Sequence, residues 1–226
     1  SRDADANVAR VVCDAARIRF VGKVLIDSLA ASLPAARARG HVARLGLAPG
    51  RFALVTLHRP TNVDEEGPLG RVLACLDEVA SACPVIFPVH PRTSHRLEAL
   101  GRRTTAWVDA RAGAAGLLLV PPIGYLDFLE LQAAAGAVVT DSGGIQEEST
   151  WLGVPCLTLG PNTERPITVS QGRVCSLSGT VSSVREPSDS KRMKLTFTAS
   201  TPLTRPSALR MRVKERAGKS RMPSSS

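Results

Sequence analysis

The sequence predicts an α/β fold: a parallel sheet with helices on both faces. Short apolar runs alternate with longer stretches of helical period, an order that implies right-handed crossovers between parallel strands. The runs are continuously apolar rather than alternating, as in strands buried on both faces. Polar clusters follow the runs, at the carboxyl ends of the strands, where open parallel sheets bind ligands.

Residues 1–49 form an Ala- and Arg-rich lead-in. Ile18-Arg19-Phe20-Val21-Gly22 reads as a short strand-like piece, and a helical run follows from Val24 to about Ala38. Pro34 is expected to interrupt or restart that run, because proline removes an N–H and clashes in a helix interior. Leu47-Ala48-Pro49-Gly50 is a turn.

The regular alternation starts at Arg51. Phe52 to Leu57 is the first core strand, stopped by His58-Arg59-Pro60-Thr61-Asn62. Leu69 to Ala82 is a helix, with Leu69, Val72, Leu73, Leu76 and Val79 on one face. Pro84 to Val89 is the second strand, ended by His90-Pro91-Arg92, and Ser94 to Leu100 is a short helix. Residues 101–116 give no clear pattern, with Trp107 their one large anchor. Leu117 to Val120 is the third strand, Tyr125 to Ala135 a helix, Ala137 to Thr140 the fourth strand, and Gly144 to Leu152 a helix. Pro155 to Leu159 is the fifth strand, and Gly160 to Gln171 the loop after it.

Beyond Gly172 the composition changes. Residues 1–172 hold 17 basic and 17 acidic side chains, so the excess of +9 falls entirely in residues 173–226, with 12 and 3. That argues against nucleic-acid binding by the body of the chain. The tail is Ser-rich with one aromatic, Phe197, and shows no sustained apolar period, so residues 173–226 are expected to be disordered. Without interleaved aromatics it is not expected to be a specific nucleic-acid module. The expected division is therefore 1–49 lead-in helices and inter-domain segment, 50–172 Rossmann-like domain, 173–226 basic tail. Cys13, Cys75, Cys83, Cys156 and Cys175 are scattered and form no C-x-x-C pair, which indicates neither zinc nor a disulfide framework and suits a reduced cytoplasmic setting. No apolar run approaches bilayer length. The chain starts at Ser1 without a charged-then-apolar leader and reads as a piece of something longer or a processed product.

Asp141-Ser142-Gly143-Gly144-Ile145-Gln146-Glu147-Glu148-Ser149 is the most informative stretch. A strand, a tight glycine turn and a helix start put free N–H groups and the positive end of a helix dipole at one spot, which suits a phosphate. Ser142 adds a hydroxyl, and the glycines permit close approach. Glu147 and Glu148 lie about one turn further on, where a carboxylate can accept both hydroxyls of a ribose. The pattern fits a nucleotide, and it equally fits a plain strand-to-helix turn with exposed glutamates.

In order and spacing, four motifs resemble the non-hydrolysing UDP-N-acetylglucosamine 2-epimerases: Val55-Thr56-Leu57-His58-Arg59-Pro60-Thr61-Asn62-Val63-Asp64, Pro88-Val89-His90-Pro91, Gly124-Tyr125-Leu126-Asp127-Phe128, and Thr140-Asp141-Ser142-Gly143-Gly144-Ile145-Gln146-Glu147-Glu148. Glu164-Arg165-Pro166 fits as well, and Phe20 to Asp27 is similar to the segment entering that family's second domain. The resemblance spans about residues 15–172. It implies one Rossmann-like half of a GT-B pair, the nucleotide-binding half. By resemblance Ser142, Gly143 and Gly144 hold the diphosphate, Glu148 the ribose hydroxyls, Phe128 and the backbone near Ile123 the uracil, and Arg165 a phosphate oxygen. His58 sits at the diphosphate as the catalytic residue of this half. His90 matches a position that in some bacterial members touches a second, regulatory UDP-sugar. The resemblance further implies a UDP-sugar substrate, no redox cofactor or metal, no membrane or specific nucleic-acid partner, a homodimer, and supply of a cell-surface polysaccharide precursor.

The chain departs from the pattern in three places. Some members carry glutamine where Ile123 stands. The family's acid/base carboxylates belong to the first domain, which this sequence does not contain. The family continues past the position of Gly172 with an apolar strand and a closing helix, which the tail does not resemble; a change of reading frame in a GC-rich gene produces such a break, and translating the other two frames checks it. Two other functions remain open at this point: a GT-B glycosyltransferase using a UDP-sugar, and a non-catalytic UDP-binding remnant.

Overall fold

The computed structural model describes residues 21–113, 115–159, 174–177, 193–199 and 209–215. The first described helix is α1 (Val24–Arg37), followed by one turn, α2 (His41–Arg44). The alternation then runs β1 (Ala53–Thr56), the single turn α3 (Pro60–Val63), α4 (Glu66–Ala80), β2 (Pro84–Pro88), α5 (Pro91–Ala99), β3 (Gly116–Val120), α6 (Tyr125–Ala134), β4 (Ala137–Thr140), α7 (Gly143–Leu152) and β5 (Cys156–Leu159). Beyond it lie β6 (Val174–Leu177), β7 (Met193–Ala199) and β8 (Leu209–Glu215).

Strands β1 to β6 form one sheet in the order β3-β2-β1-β4-β5-β6, with every pairing parallel. This is the doubly wound order in which the direction of winding reverses between β1 and β4. Period two along each strand sorts the side chains. Ala53, Val55, Leu57, Val85, Phe87, Val139 and Leu157 join one core with Leu69, Val72, Leu73, Leu76 and Val79 of α4. Phe52, Leu54, Ile86, Val120, Val138 and Cys156 join the other, with Val42 of α2 and Leu131 of α6. The sheet is thus covered on both faces, as its unbroken apolar strands require. A third cluster, Leu29, Ala36 and Leu129, seats α1 on α6.

Helix α1 passes through Pro34 without a break, contrary to the expected interruption. Proline removes one N–H donor, but Leu29 and Ala36, one on each side of it, are fully buried, and that packing holds the run together. The stop after β1 is itself helical: Pro60 takes the first position of α3, where its missing N–H has no intrahelical partner to lose. The strand-like piece expected at Ile18–Gly22 lies outside the described residues as far as Phe20, and Val21 and Gly22 carry no strand.

Segment 101–113 is fastened to the body by its backbone. Thr105 N donates to Leu119 O at 2.8 Å, and Ala112 N to Leu45 O at 2.9 Å. Trp107 Nε1 donates to Pro121 O at 2.9 Å, and its ring meets His41 edge-on at 4.8 Å between centroids. The buried Glu130 carboxylate accepts His41 N at 2.7 Å and Val42 N at 3.4 Å, capping α2.

The region read as a disordered tail carries strands in this structure. β6 extends the parallel sheet beside β5, pairing Cys156 with Val174 through Leu159 with Leu177. β7 and β8 pair antiparallel, Met193 opposite Glu215 through Ala199 opposite Leu209. Composition averaged over 54 residues hides runs this short, whereas the open edge of β5 offers a row of backbone partners to any short extended segment. Among the described residues no helix is long and apolar enough to cross a membrane.

Candidate functional site

At the carboxyl ends of β1 to β4 lies an open cleft of about 330 Å³, lined by Thr56, Leu57, His58, Pro88, His90, Pro122, Ile123, Phe128, Ser142 and Ile145. It sits at the switch between β1 and β4, where an open α/β sheet leaves a crevice between diverging loops. Five of the residues singled out from the sequence meet here: His58, His90, Ile123, Phe128 and Ser142. Phe128 is half-buried and serves twice, lining the cleft and packing on the second core. Gly143 and Gly144 open α7 immediately after Ser142. Arg165, together with Glu164, lies outside the described residues.

The glycine turn has the expected form. Ser142 is the extended residue before α7, and its hydroxyl makes no capping bond to the helix. The backbone N–H of Ser142 donates to Thr140 Oγ1 at 3.0 Å. The N–H groups of the first turn therefore face the cleft end of the helix, with the dipole behind them. A Cβ placed on Gly144 would meet only ordinary contacts, Ser142 Oγ at 3.8 Å and Leu25 Cδ2 at 3.9 Å. Internal crowding therefore does not require a glycine at that position. At the far end Gly153 takes φ 73°, the left-handed cap that an L side chain resists.

The paired glutamates separate. Glu147 is held by Lys23 Nζ at 2.7 Å, an ion pair that ties the start of α1 to α7. Glu148 is 4% exposed, and its Oε2 has no hydrogen-bond partner among the described residues. Burial pushes the Glu148 carboxyl above the usual glutamate range, offset in part by a hydrogen bond from Gln132. Tyr125 stands nearby: burial first, then the Glu148 carboxylate, push its phenol up. A buried carboxylate with one oxygen unpartnered, one turn behind a phosphate-type turn, can accept hydrogen bonds from a ligand's donors.

Sequence reading missed Asp141 as an organiser. It is fully buried, and its oxygens accept His58 N at 3.1 and 3.2 Å, Arg59 N at 2.9 Å and Asn62 Nδ2 at 2.9 Å. His58 Nδ1 lies 2.9 Å from Asp141 Oδ1. The loop after β1 is thus pinned to the end of β4, across the switch point. The available signal was the acid directly after an apolar strand, but its partners lie about eighty residues upstream. Among the described residues no group of three or more His, Cys, Asp or Glu side chains is placed to hold a metal ion.

This architecture defines a class: doubly wound α/β domains with a ligand cleft at the switch point. Comparison with known proteins narrows it. A family model described as UDP-N-acetylglucosamine 2-epimerase matches residues 1–187. The chain belongs to that family. The UDP-N-acetylglucosamine 2-epimerase of Methanocaldococcus jannaschii is 34% identical over 171 residues, covering 74% of this chain and 45% of that protein. The UDP-2,3-diacetamido-2,3-dideoxy-D-glucuronate 2-epimerase of Pseudomonas aeruginosa is 38% identical over 152 residues, 66% of this chain and 38% of that protein. A crystal structure of the Methanocaldococcus jannaschii enzyme, in complex with UDP-GlcNAc and UDP, superposes with a TM-score of 0.64 at 31% identity, covering 78% of this chain and 48% of that one. The sheet is accordingly one Rossmann-like half of the GT-B arrangement. The chain spans about half the length of the curated relatives it matches.

Proposed function

We propose that this chain is the nucleotide-binding half of a UDP-sugar 2-epimerase, acting on UDP-N-acetylglucosamine to give UDP-N-acetylmannosamine. The observation that carries the reading is the family match across residues 1–187, and it is supported by His58, His90, Ile123, Phe128 and Ser142 lining one cleft. In the reaction the C1–O bond breaks and UDP leaves with the bonding pair as C2 loses its proton, giving a 2-acetamidoglucal. UDP then re-adds at C1 as a proton is delivered to the opposite face of C2. Ser142, Gly143 and Gly144 hold the diphosphate, Glu148 the ribose diol, Phe128 and the backbone at Ile123 the uracil, and Arg165 a phosphate oxygen. His58 faces the leaving phosphate.

Abstraction at C2 needs a positioned base, and in the resemblance those carboxylates stand on the other domain. The chain's share of the work is therefore the leaving-group end. The relatives' names bear on how far substrate identity reaches: they share a UDP-sugar and the 2-position, while the sugars differ. We further propose a homodimer in the cytoplasm, supplying a cell-surface polysaccharide precursor, with His90 as the contact to a second UDP-sugar.

The test has two parts. UDP titrated into the full chain should bind, and Arg165→Ala should weaken it. UDP-N-acetylglucosamine should be converted to the C2 epimer once a first domain is supplied, with no glycosyl transfer to an acceptor. Transfer without epimerisation would establish a GT-B glycosyltransferase. Any turnover by the isolated chain excludes a non-catalytic UDP-binding remnant, the remaining alternative.

A further inference from the structure

We propose that Asp141 is a positioning residue for His58: it holds the imidazole with Nδ1–H turned inward, so that Nε2 is the ring atom presented to the cleft. The proposal rests on the UDP reading of that cleft for its purpose, though not for its geometry. Asp141 is fully buried at the end of β4, and His58 sits on the loop after β1 with its side chain 57% exposed and lining the cleft. The two are joined twice. Asp141 Oδ1 receives the His58 backbone N–H at 3.1 Å and lies 2.9 Å from ring Nδ1. Fixing the backbone and the near ring atom to one oxygen sets the ring's direction as well as its place.

The donor count settles which nitrogen carries hydrogen. Asp141 Oδ2 accepts from Arg59 N at 2.9 Å, Asn62 Nδ2 at 2.9 Å and His58 N at 3.2 Å. None of these neighbours offers an acceptor, so the carboxyl group is surrounded by donors alone and serves as an acceptor through both oxygens. His58 Nδ1 must then be a donor. The neutral ring carries its hydrogen on Nδ1 and leaves the Nε2 lone pair toward the cleft. The protonated ring presents Nε2–H to an anionic oxygen there. The opposite tautomer would set its Nδ1 lone pair against Asp141 Oδ1 at 2.9 Å, two acceptors face to face, and would leave no lone pair toward the cleft.

The same count predicts what an amide does at this position. In Asp141→Asn the amide oxygen is drawn to the Oδ2 position, which has three donors to satisfy. The NH2 then occupies the Oδ1 position and donates to His58 Nδ1, and the ring hydrogen moves to Nε2. The loop keeps its principal backbone acceptor, so the fold survives while the tautomer changes.

The experiment is two-bond proton–nitrogen correlation on the full chain with 15N-labelled histidine, in alkaline buffer where imidazole is neutral, with His58→Gln identifying the His58 signals. Wild type should show the Nδ1–H pattern, and Asp141→Asn the Nε2–H pattern with unchanged circular dichroism. A wild-type ring carrying its hydrogen on Nε2 overturns the proposal even if the variant fails to fold, as does a tautomer that is the same in both proteins. Added UDP should move the His58 Nε2 resonance and leave Nδ1 in place; movement confined to Nδ1 overturns the proposal. If the tautomers behave as stated but UDP moves neither signal, the UDP reading of the cleft fails while the Asp141–His58 pairing stands.

Discussion

Replacing Glu148 by glutamine should strengthen the empty fold and weaken nucleotide binding. Glu148 is 4% exposed with Oε2 unpartnered, so its charge is carried at a cost that the hydrogen bond from Gln132 offsets only in part. An ionised buried group left unsatisfied costs about 1–3 kcal/mol or more, whereas an amide there keeps an unpaired polar atom without the charge, so Glu148→Gln should gain about 1 kcal/mol at neutral pH. Binding moves the other way. Two ribose hydroxyls donating to a carboxylate make charge-assisted bonds of about 1.5–3 kcal/mol each; an amide keeps one weaker acceptor, so about 2–3 kcal/mol is lost, roughly 30- to 150-fold in Kd. The pH dependence has a definite sign. Burial raises the folded pKa above the ordinary 4.5, so ionisation opposes folding. The variant's stability advantage should be absent below the unfolded value and grow as pH rises through the folded one. Wild-type affinity for UDP should fall toward the variant's as pH drops through the same range. Urea unfolding and calorimetric titration at several pH values measure both. A variant less stable than wild type at pH 7, or one binding UDP equally well, would refute the reasoning.

Gly144→Ala should leave the fold intact or stabilise it by about 0.5–1 kcal/mol through helix propensity, since a Cβ meets only ordinary contacts; UDP titration should show affinity reduced at least tenfold where that Cβ crowds the phosphate. Burial pushes the Cys156 thiol up to about 12 and raises Cys83 as well, so a thiol reagent at pH 8 should spare both in the native protein and modify them only on unfolding, read by mass spectrometry. Glu130→Ala should strand the His41 and Val42 N–H groups that the carboxylate caps, costing about 2–4 kcal/mol and lowering the urea midpoint, with little change in UDP affinity.

Much of the sheet was legible because its signal is local. Val138-Val139 or Ile86-Phe87 in an unbroken apolar run admits few readings once helical stretches flank it. What escaped was fixed by distant partners or by averaging. Pro34 looked like a break because the burial of Leu29 and Ala36 around it is not written in the neighbouring residues. Segment 101–113 has no period of its own; Leu45, Leu119 and Pro121 hold it from other parts of the chain. β6 was lost in a window dominated by serine and basic residues. In the site, the glycine turn and the residues around it were readable as chemistry, but the division of labour between Glu147 and Glu148 was not. Only the fold brings Lys23 to one and buries the other.

Asp141 and Glu148 are both buried acids of one short motif, seven residues apart, and they solve burial in opposite ways. Asp141 is saturated from within: two backbone N–H groups, an amide and an imidazole converge on it, so its desolvation is offset before any ligand arrives. Such a group organises its surroundings and has little left to offer a ligand. Glu148 keeps an oxygen open, and its raised pKa records the imbalance. Donors from outside can correct that imbalance, which makes it suited to receiving a diol. The two therefore predict opposite responses to the same chemical change. Removing charge at 141 should loosen the loop after β1 and disturb His58, while removing it at 148 should tighten the empty domain. If both amides proved destabilising, Glu148 would be one more structural acid, and the nucleotide would have to be held by the glycine turn and the cleft walls alone.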